Sequence, residues 1–437
     1  MIKDIYRPLL KDKKNIQDEL LIHTIGLHKK NYFDYTASGL AYDVIEERMQ
    51  EVLHTYANTH SKEASMAATT SVYYAQAREN LYDSLELSEE FIIIPGGCGA
   101  TAAIKRFQEL VGIYIPPATI KRYNISVDKR DMPLVVVGPY EHHSNEISYR
   151  EAFCEIVRIG LDEDGLIDFK QFEKILKENS HRDIIGSFCI ASNVTGIITP
   201  YKKISKLLKK YSAIVCFDAA ASSPYINIDC DLYDALFLSP HKLLGGPGSC
   251  GLLIIKKNLI DSTLPPTFAG GGTVSYVSNT KHTYDSDLQI REEAGTPGIL
   301  QLIRASLAYQ LRNEIGFRFI QRQKSKLLKL FIGELEKIQD CEIYGNKNEK
   351  NIGIVSFNLG DINPYDMCNA LSKIYAIQTR AGCSCAGPYG HDLLGLKDQI
   401  ILADKPGWIR ISIHFSQTEE DILSLLRAVK QSVEVLK

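Results

Sequence analysis

No stretch of this chain approaches the roughly 18–20 consecutive apolar residues that a membrane-crossing helix needs, and the longest candidates, such as Phe91–Ile94, are strand-sized. A long basic block is also absent. The 50 Lys and Arg against 53 Asp and Glu leave a net charge of −3, so neither nucleic acid nor an anionic membrane is expected as a partner, and a small substrate is. The opening MIKDIYRPLLKDKKN carries charges throughout and has no apolar core segment, so it reads as neither signal peptide nor anchor, and a cytoplasmic protein is expected. Ten cysteines in 437 residues are too few for a disulfide scaffold, and most are expected inside strand-like segments as small buried hydrophobes, as at Cys189 and Cys216. No internal repeat is present. The remainder, 45% hydrophobic and 24% charged, is the composition of a soluble globular chain of two or three domains.

Short apolar runs alternate with amphipathic ones from Phe91 to Lys256. They are Phe91–Ile94, Leu134–Val137, Glu155–Ile159, Ile184–Ile190, Ala213–Phe217, Ala235–Leu238 and Gly251–Ile255, each short and rich in Val and Ile. Such runs suit strands buried on both faces of a mostly parallel sheet. Helical patterns lie between them at Thr101–Val111, Asp168–Glu178 and Ile204–Tyr211, which gives an α/β fold. After Gly295 a long helical stretch, Ile299–Ile338, precedes strand-like runs at Ile354–Leu359, Ile377–Arg380 and Trp408–Ile413 and a closing helix from Glu419. The expected organisation is a large α/β domain over 31–295 and a smaller α+β domain from 1–30 and 296–437. The Gly/Pro-rich stretch Pro265–Thr273 and the segment on to Gly295 read as loops.

Three motifs follow strands in the first part. Pro95-Gly96-Gly97-Cys98-Gly99-Ala100-Thr101 closes a strand and opens a helix, where free N–H groups favour an anion. Gly97, Gly99 and Ala102 also satisfy a dinucleotide-binding pattern, but no Asp or Glu stands about 20 residues on to take a ribose hydroxyl. No Gly-Lys-Ser/Thr follows, so this is not a P-loop. Phe217-Asp218-Ala219-Ala220-Ala221 puts a carboxylate at the end of an apolar run, where it needs a cation, several donors or a helix to cap. Ser239-Pro240-His241-Lys242, followed by a Gly-rich loop, puts a Lys where open α/β sheets bind ligands. Desolvation there depresses its pKa and frees the amine for a Schiff base.

Phosphate loop, Asp and Lys in this order, with Glu141-His142-His143-Ser144-Asn145, Ser192-Asn193-Val194-Thr195-Gly196 and Gly295-Thr296-Pro297, give the chain its resemblance to the class V (NifS-like) pyridoxal phosphate enzymes. These are the cysteine desulfurases, selenocysteine lyases and related aminotransferases, and the likeness runs from Tyr32-Phe33-Asp34 to the C-terminal helix. The resemblance implies fold type I, with a mostly parallel seven-stranded sheet, and pyridoxal 5'-phosphate as cofactor. It implies that Lys242 bonds to the cofactor, that His142 stacks on its ring, and that Asp218 pairs with the ring nitrogen. Gly99, Ala100 and Thr101, with Ser239 and His241, would hold the phosphate, and Asn193 would lie near the ring oxygen. Thr296 would reach the phosphate of the other subunit, which implies a homodimer with shared sites.

The last motif is Thr379-Arg380-Ala381-Gly382-Cys383-Ser384-Cys385. Arg380 offers a planar fork for a substrate carboxylate and matches the carboxylate-binding Arg of the family. Cys385, five residues on, matches the persulfide-forming Cys of desulfurases. Cys-x-Cys is also compatible with half a metal site or a redox pair, although no second cysteine cluster follows and only His391 stands near, so no metal is expected. Two features depart from the desulfurase pattern. Ala221 stands where those enzymes have a Gln that bonds the ring oxygen, and Gly-Cys-Ser-Cys stands where many have two His before the Cys. The expected function is that of a desulfurase-like enzyme acting on cysteine or an analogue, with Lys242 as general base, His142 as a proton relay and Cys385 as nucleophile, passing sulfur to an acceptor protein. Transamination, epimerisation or β-elimination on the same apparatus is the alternative.

Overall fold

The computed structural model describes residues 2–26, 31–59, 61, 63–396 and 406–436. Seven strands make the larger sheet: β1 Phe91–Gly96, β2 Leu134–Val137, β3 Glu155–Arg158, β4 Ile184–Cys189, β5 Ile214–Asp218, β6 Ala235–Leu238 and β7 Gly251–Lys256. Their order is β1-β7-β6-β5-β4-β2-β3, and all pair in parallel except β7, which is antiparallel to both neighbours. Each strand coincides with a run singled out in the sequence, and the reason is visible in the packing. Phe91 and Ile93 face one apolar cluster, with Tyr42, Leu81, Leu302 and Ile303, whereas Ile92 and Ile94 face another, with Ala103 and Phe107. At about 1.5–3 kcal/mol for each buried large apolar side chain, a sheet covered on both faces is a rigid platform for the loops at its ends.

A second, antiparallel sheet combines β8 Cys341–Ile343, β9 Ile354–Leu359, β10 Arg380–Gly382 and β11 Trp408–Ser412 in the order β8-β9-β11-β10. Val355, Phe357, Ile409 and Ile411 on its inner face pack with Leu327 and Phe331 of helix Phe317–Leu335 and with Ile422 and Leu425 of helix Glu419–Leu436. The N-terminal Leu9, Leu10 and Leu20 belong to the apolar cluster of the larger sheet, and the backbone amides of Leu9 and Leu10 donate to Glu314. Part of the expected domain boundary, residues 27–30, lies outside the described residues.

Several sequence-based expectations need correction. The long helical stretch is two helices, Ile299–Ile315 and Phe317–Leu335, because Gly316 adopts a φ of 82° that side-chain-bearing residues rarely take. The strand expected at Ile377–Arg380 is displaced to Arg380–Gly382, since Gln378 is drawn aside to exchange hydrogen bonds with Asn31 and Phe33. The stretch up to Gly295 is not all loop: Val274–Val277 and His282–Tyr284 form an antiparallel hairpin, and Leu288–Arg291 a short helix. Only Cys189, Cys216 and Cys250 of the ten cysteines are buried, and Cys98, Cys383 and Cys385 are exposed. Among the described residues no helix is long and apolar enough to cross a membrane.

Candidate active site

A cavity of about 170 Å³ opens at the carboxyl ends of β1, β2, β4, β5 and β6, and Gly99, Ala100, Thr101, His142, Asn193, Asp218, Ser239, His241 and Lys242 all line it. The sheet topology accounts for the convergence, because parallel strands deliver their following loops to one edge. Thr296 is elsewhere: it does not line this cavity, and its hydroxyl accepts from the Asn58 side chain at 2.9 Å.

Helix Gly99–Leu110 points its N-terminus at the cavity. The Ala100 N–H donates to the Ser239 hydroxyl at 2.8 Å, and the Thr101 and Ser144 hydroxyls are 2.7 Å apart. Gly99 is required at a φ of 61°, because a Cβ there would lie 2.7 Å from His241 Cε1 and 2.8 Å from Ser239 Oγ. His142 caps helix His143–Arg150, its Nδ1 accepting the Ser144 N–H at 3.1 Å, so the ring proton is assigned to Nε2. Glu141, buried beneath, accepts the Asn145 amide and the Cys189 N–H, which fastens this turn to the end of β4.

The electrostatics of the cavity are set by burial. Lys242 ends a short turn after β6, and burial lowers its pKa to about 8 against the opposing pull of Asp218. Burial raises Asp218, whose Oδ1 accepts the Ala220 N–H at 2.8 Å. Burial and then the Lys242 charge push both His142 and His241 down to about 4, so both rings are neutral near pH 7.

The smaller sheet closes the site from the other side. Ser384 and Cys385 adopt φ of 54° and 58°, a conformation that costs about 1–2 kcal/mol per residue. The loop is held there by three bonds across the cleft: Asn193 Nδ2 donates to Ser384 O at 2.7 Å, the His143 N–H to Cys385 O at 2.8 Å, and the Gly387 N–H to His143 Nε2 at 2.7 Å. Cys385 is within electrostatic reach of Lys242, Arg380 and Arg410, whereas the charge of Cys383 is felt by Tyr365.

Arg380 does not line the cavity itself. Its Nε and Nη2 bond Asp34 at 2.9 and 2.8 Å, and Arg410, its direct neighbour across β10 and β11, donates to the same carboxylate at 2.9 Å. Two guanidiniums side by side repel, and Asp34 between them offsets that repulsion. Arg410 also donates to Asn193 O at 3.1 Å. Sequence reasoning missed Arg410 and gave Asp34 no role. The available signal was an arginine flanked by Ile409 and Ile411 in the middle of Trp408–Ser412, a run that is buried throughout.

The family model for aminotransferase class-V matches residues 31–425. Among curated proteins, a probable cysteine desulfurase of Halalkalibacterium halodurans is 27% identical over 415 residues, covering 92% of this chain and 93% of that protein. A probable cysteine desulfurase of Staphylococcus aureus is 27% identical over 412 residues, covering 92% of each. Among solved structures, the fold is shared with a cysteine desulfurase from Thermococcus onnurineus, with a TM-score of 0.80 at 24% identity over 98% of this chain and 99% of that one. It is shared also with the Escherichia coli cysteine desulfurase CsdA, with a TM-score of 0.77 at 21% identity over 98% of this chain and all of that one.

Proposed function

The chain belongs to the aminotransferase class-V family, and from that premise we propose that it is a pyridoxal-phosphate-dependent cysteine desulfurase that forms a persulfide on Cys385 and releases alanine. The observation that carries this reading is the fastening of the Cys385 loop to the cavity wall, where the His143 N–H donates to Cys385 O and Asn193 to Ser384 O, with Cys385 within electrostatic reach of Lys242 and the two arginines.

The residues present fit the cofactor. Asn193 Oδ1 is buried without a hydrogen-bond partner, so its amide has capacity for a ring substituent. The cradle at Gly99 is one that a Cβ would fill, and the amides of Gly99 and Thr101 with the side chains of Ser239 and His241 make a donor set suited to phosphate. Asp218 would pair with the protonated ring nitrogen, and the neutral His142 ring would pack on the cofactor face. When bound, the cofactor supplies an electron sink for charge developing at the substrate Cα.

The protein's side chains supply the rest. Lys242, lowered by burial, is the base for the Cα proton. Arg380 grips the substrate carboxylate, which takes the place that Asp34 holds in this structure, while Arg410 keeps Asp34 close by. The Cys385 thiolate attacks the substrate sulfur; the new S–S bond forms as the Cβ–S bond breaks, and the electron pair left on carbon is protonated to give alanine. Cys385 is exposed, which leaves its persulfide open to a sulfur-acceptor protein. A homodimer is part of the reading: Thr296 lies outside its own cavity, and Phe268, Tyr276 and Val277 are 71, 62 and 60% exposed, apolar surface that a second copy would cover.

Incubation of the cofactor-loaded protein with L-cysteine and a reductant is expected to yield alanine and sulfide in equal amounts. Ala221, on the cavity wall without a side-chain donor, favours a second reading, transamination, which would instead consume an added keto acid and release no sulfide. The pKa of Lys242 adds a pH test. Only the unprotonated amine bonds to the cofactor aldehyde, so uptake of pyridoxal phosphate by cofactor-free protein is expected to accelerate with pH and level off above about 8. A lysine at its ordinary value, about 10.4, would still gain roughly tenfold per pH unit there, and stopped-flow absorbance separates the two.

A further inference from the structure

A second cavity, of about 630 Å³, opens between helix Phe317–Leu335 and the segment Tyr344–Ile354. Its volume is within the range of about 300–1,000 Å³ that holds small organic ligands. Ile198, Ile226, Ile320, Ile332 and Ile352 make much of its wall apolar. In that wall stands Lys324, only 5% exposed, with an Nζ that has no hydrogen-bond partner and lies 2.8 Å from the centroid of the Tyr225 ring, another wall residue. Among the described residues no carboxylate pairs with it. His414, whose buried Nε2 is likewise unpartnered, lies near enough for the Lys324 charge to lower its pKa further.

An unsatisfied buried amine is destabilising, and a methionine would provide the same packing of the stem without that penalty. Lys324 therefore earns its place through something that enters. The charge around the cavity indicates its sign: Lys324, Lys329, Lys347 and Lys350 stand against Glu336 and Glu349, and Glu336 is already bonded to Lys347 at 2.5 Å.

We propose that this cavity binds an amphipathic monocarboxylate, with its hydrocarbon body against the isoleucines and its carboxylate on Lys324. The cavity backs onto the turn that carries Asn193, since Thr195 and Ile198 belong to its wall, but the inference does not rest on the desulfurase reading. Burial holds Lys324 well below its ordinary value, so pairing with an incoming carboxylate draws a proton onto the amine. The titratable groups facing it are Tyr225, which burial pushes up, and His414, which burial pushes down, with Tyr35 stacked behind His414. None of these changes charge near neutrality, so the proton belongs to Lys324.

The test is calorimetry of the full, cofactor-loaded chain with decanoate, below its micelle concentration, near neutral pH in two buffers of different ionisation heat. Expected are one decanoate per chain, uptake of about one proton, and for Lys324→Met binding at least about tenfold weaker without proton uptake. Ile332→Trp, which fills the cavity and leaves the amine intact, is expected to weaken decanoate equally. Lys324→Met is expected to melt no lower than the parent. Absence of saturable binding, unchanged binding in either variant, or a lower melting temperature for Lys324→Met would each overturn the proposal.

Discussion

Replacing Lys242 by Ala is expected to remove the yellow colour of the cofactor-loaded protein and to cut turnover of L-cysteine by at least about 10²–10⁴-fold, the range for a positioned general base alone. Among the described residues no other amine lines the cavity. The two histidines there are held at about 4 by burial and are poor proton acceptors at neutral pH, so neither substitutes as base. The fold itself should survive. Among the described residues Lys242 makes no ion pair, and its removal takes an amine out of a site where burial disfavours its charge. Loss of its positive charge should also let Asp218 rise further and His142 and His241 recover part of their ordinary basicity, since the Lys242 charge contributes to each of those shifts. Absorbance and an alanine assay on the same preparation check the expectation; a variant that stays yellow and turns over at the parent rate would contradict it.

Cys385→Ala is expected to lose alanine formation from L-cysteine by about 10³-fold or more, because an oriented intramolecular nucleophile acts at an effective concentration on the order of 10⁵ M or higher that no dissolved thiol can match. The same substitution at Cys383 is expected to change the rate by no more than about twofold, the effect of a surface change near 0.5 kcal/mol. The contrast follows from the loop geometry. Ser384 and Cys385 are fastened to the cavity wall by Asn193 and His143, which keeps Cys385 within electrostatic reach of Lys242. Cofactor colour should be unchanged in both variants, since neither cysteine lines the cofactor cavity. Equal losses at the two positions would mean that the loop rearranges when substrate enters.

The residues of the cavity at the sheet's edge were legible in the sequence because each sits at or just past the end of a strand, and such buried strands read as uninterrupted apolar runs. Asp218 and Lys242 stand out there as charges at the edge of apolar segments. The cluster of Asp34, Arg380 and Arg410 was only half legible. Asp34 and Arg410 meet across 376 positions of chain, while the pairing of β10 with β11 sets Arg380 beside Arg410, and nothing local marks either meeting. The hairpin Val274–Val277 with His282–Tyr284 escaped for a different reason: three of the four residues in its first strand are exposed, so the alternation that reveals a half-buried strand is missing. Lys324 was hidden by its neighbours. In the helix Phe317–Leu335 it is one of several basic residues, and only the packed structure separates the one that is buried from those in solvent.

The central claim is a sulfur atom transferred to one particular thiol. A single turnover of the cofactor-loaded protein with L-cysteine, without reductant, followed by alkylation and peptide mass spectrometry, tests it most directly. The proposed chemistry requires one added sulfur on the peptide carrying Cys385, one alanine released per site, and no added sulfur in Cys385→Ala. Alanine formed with unmodified Cys385, or sulfur found on Cys383 in its place, would contradict it.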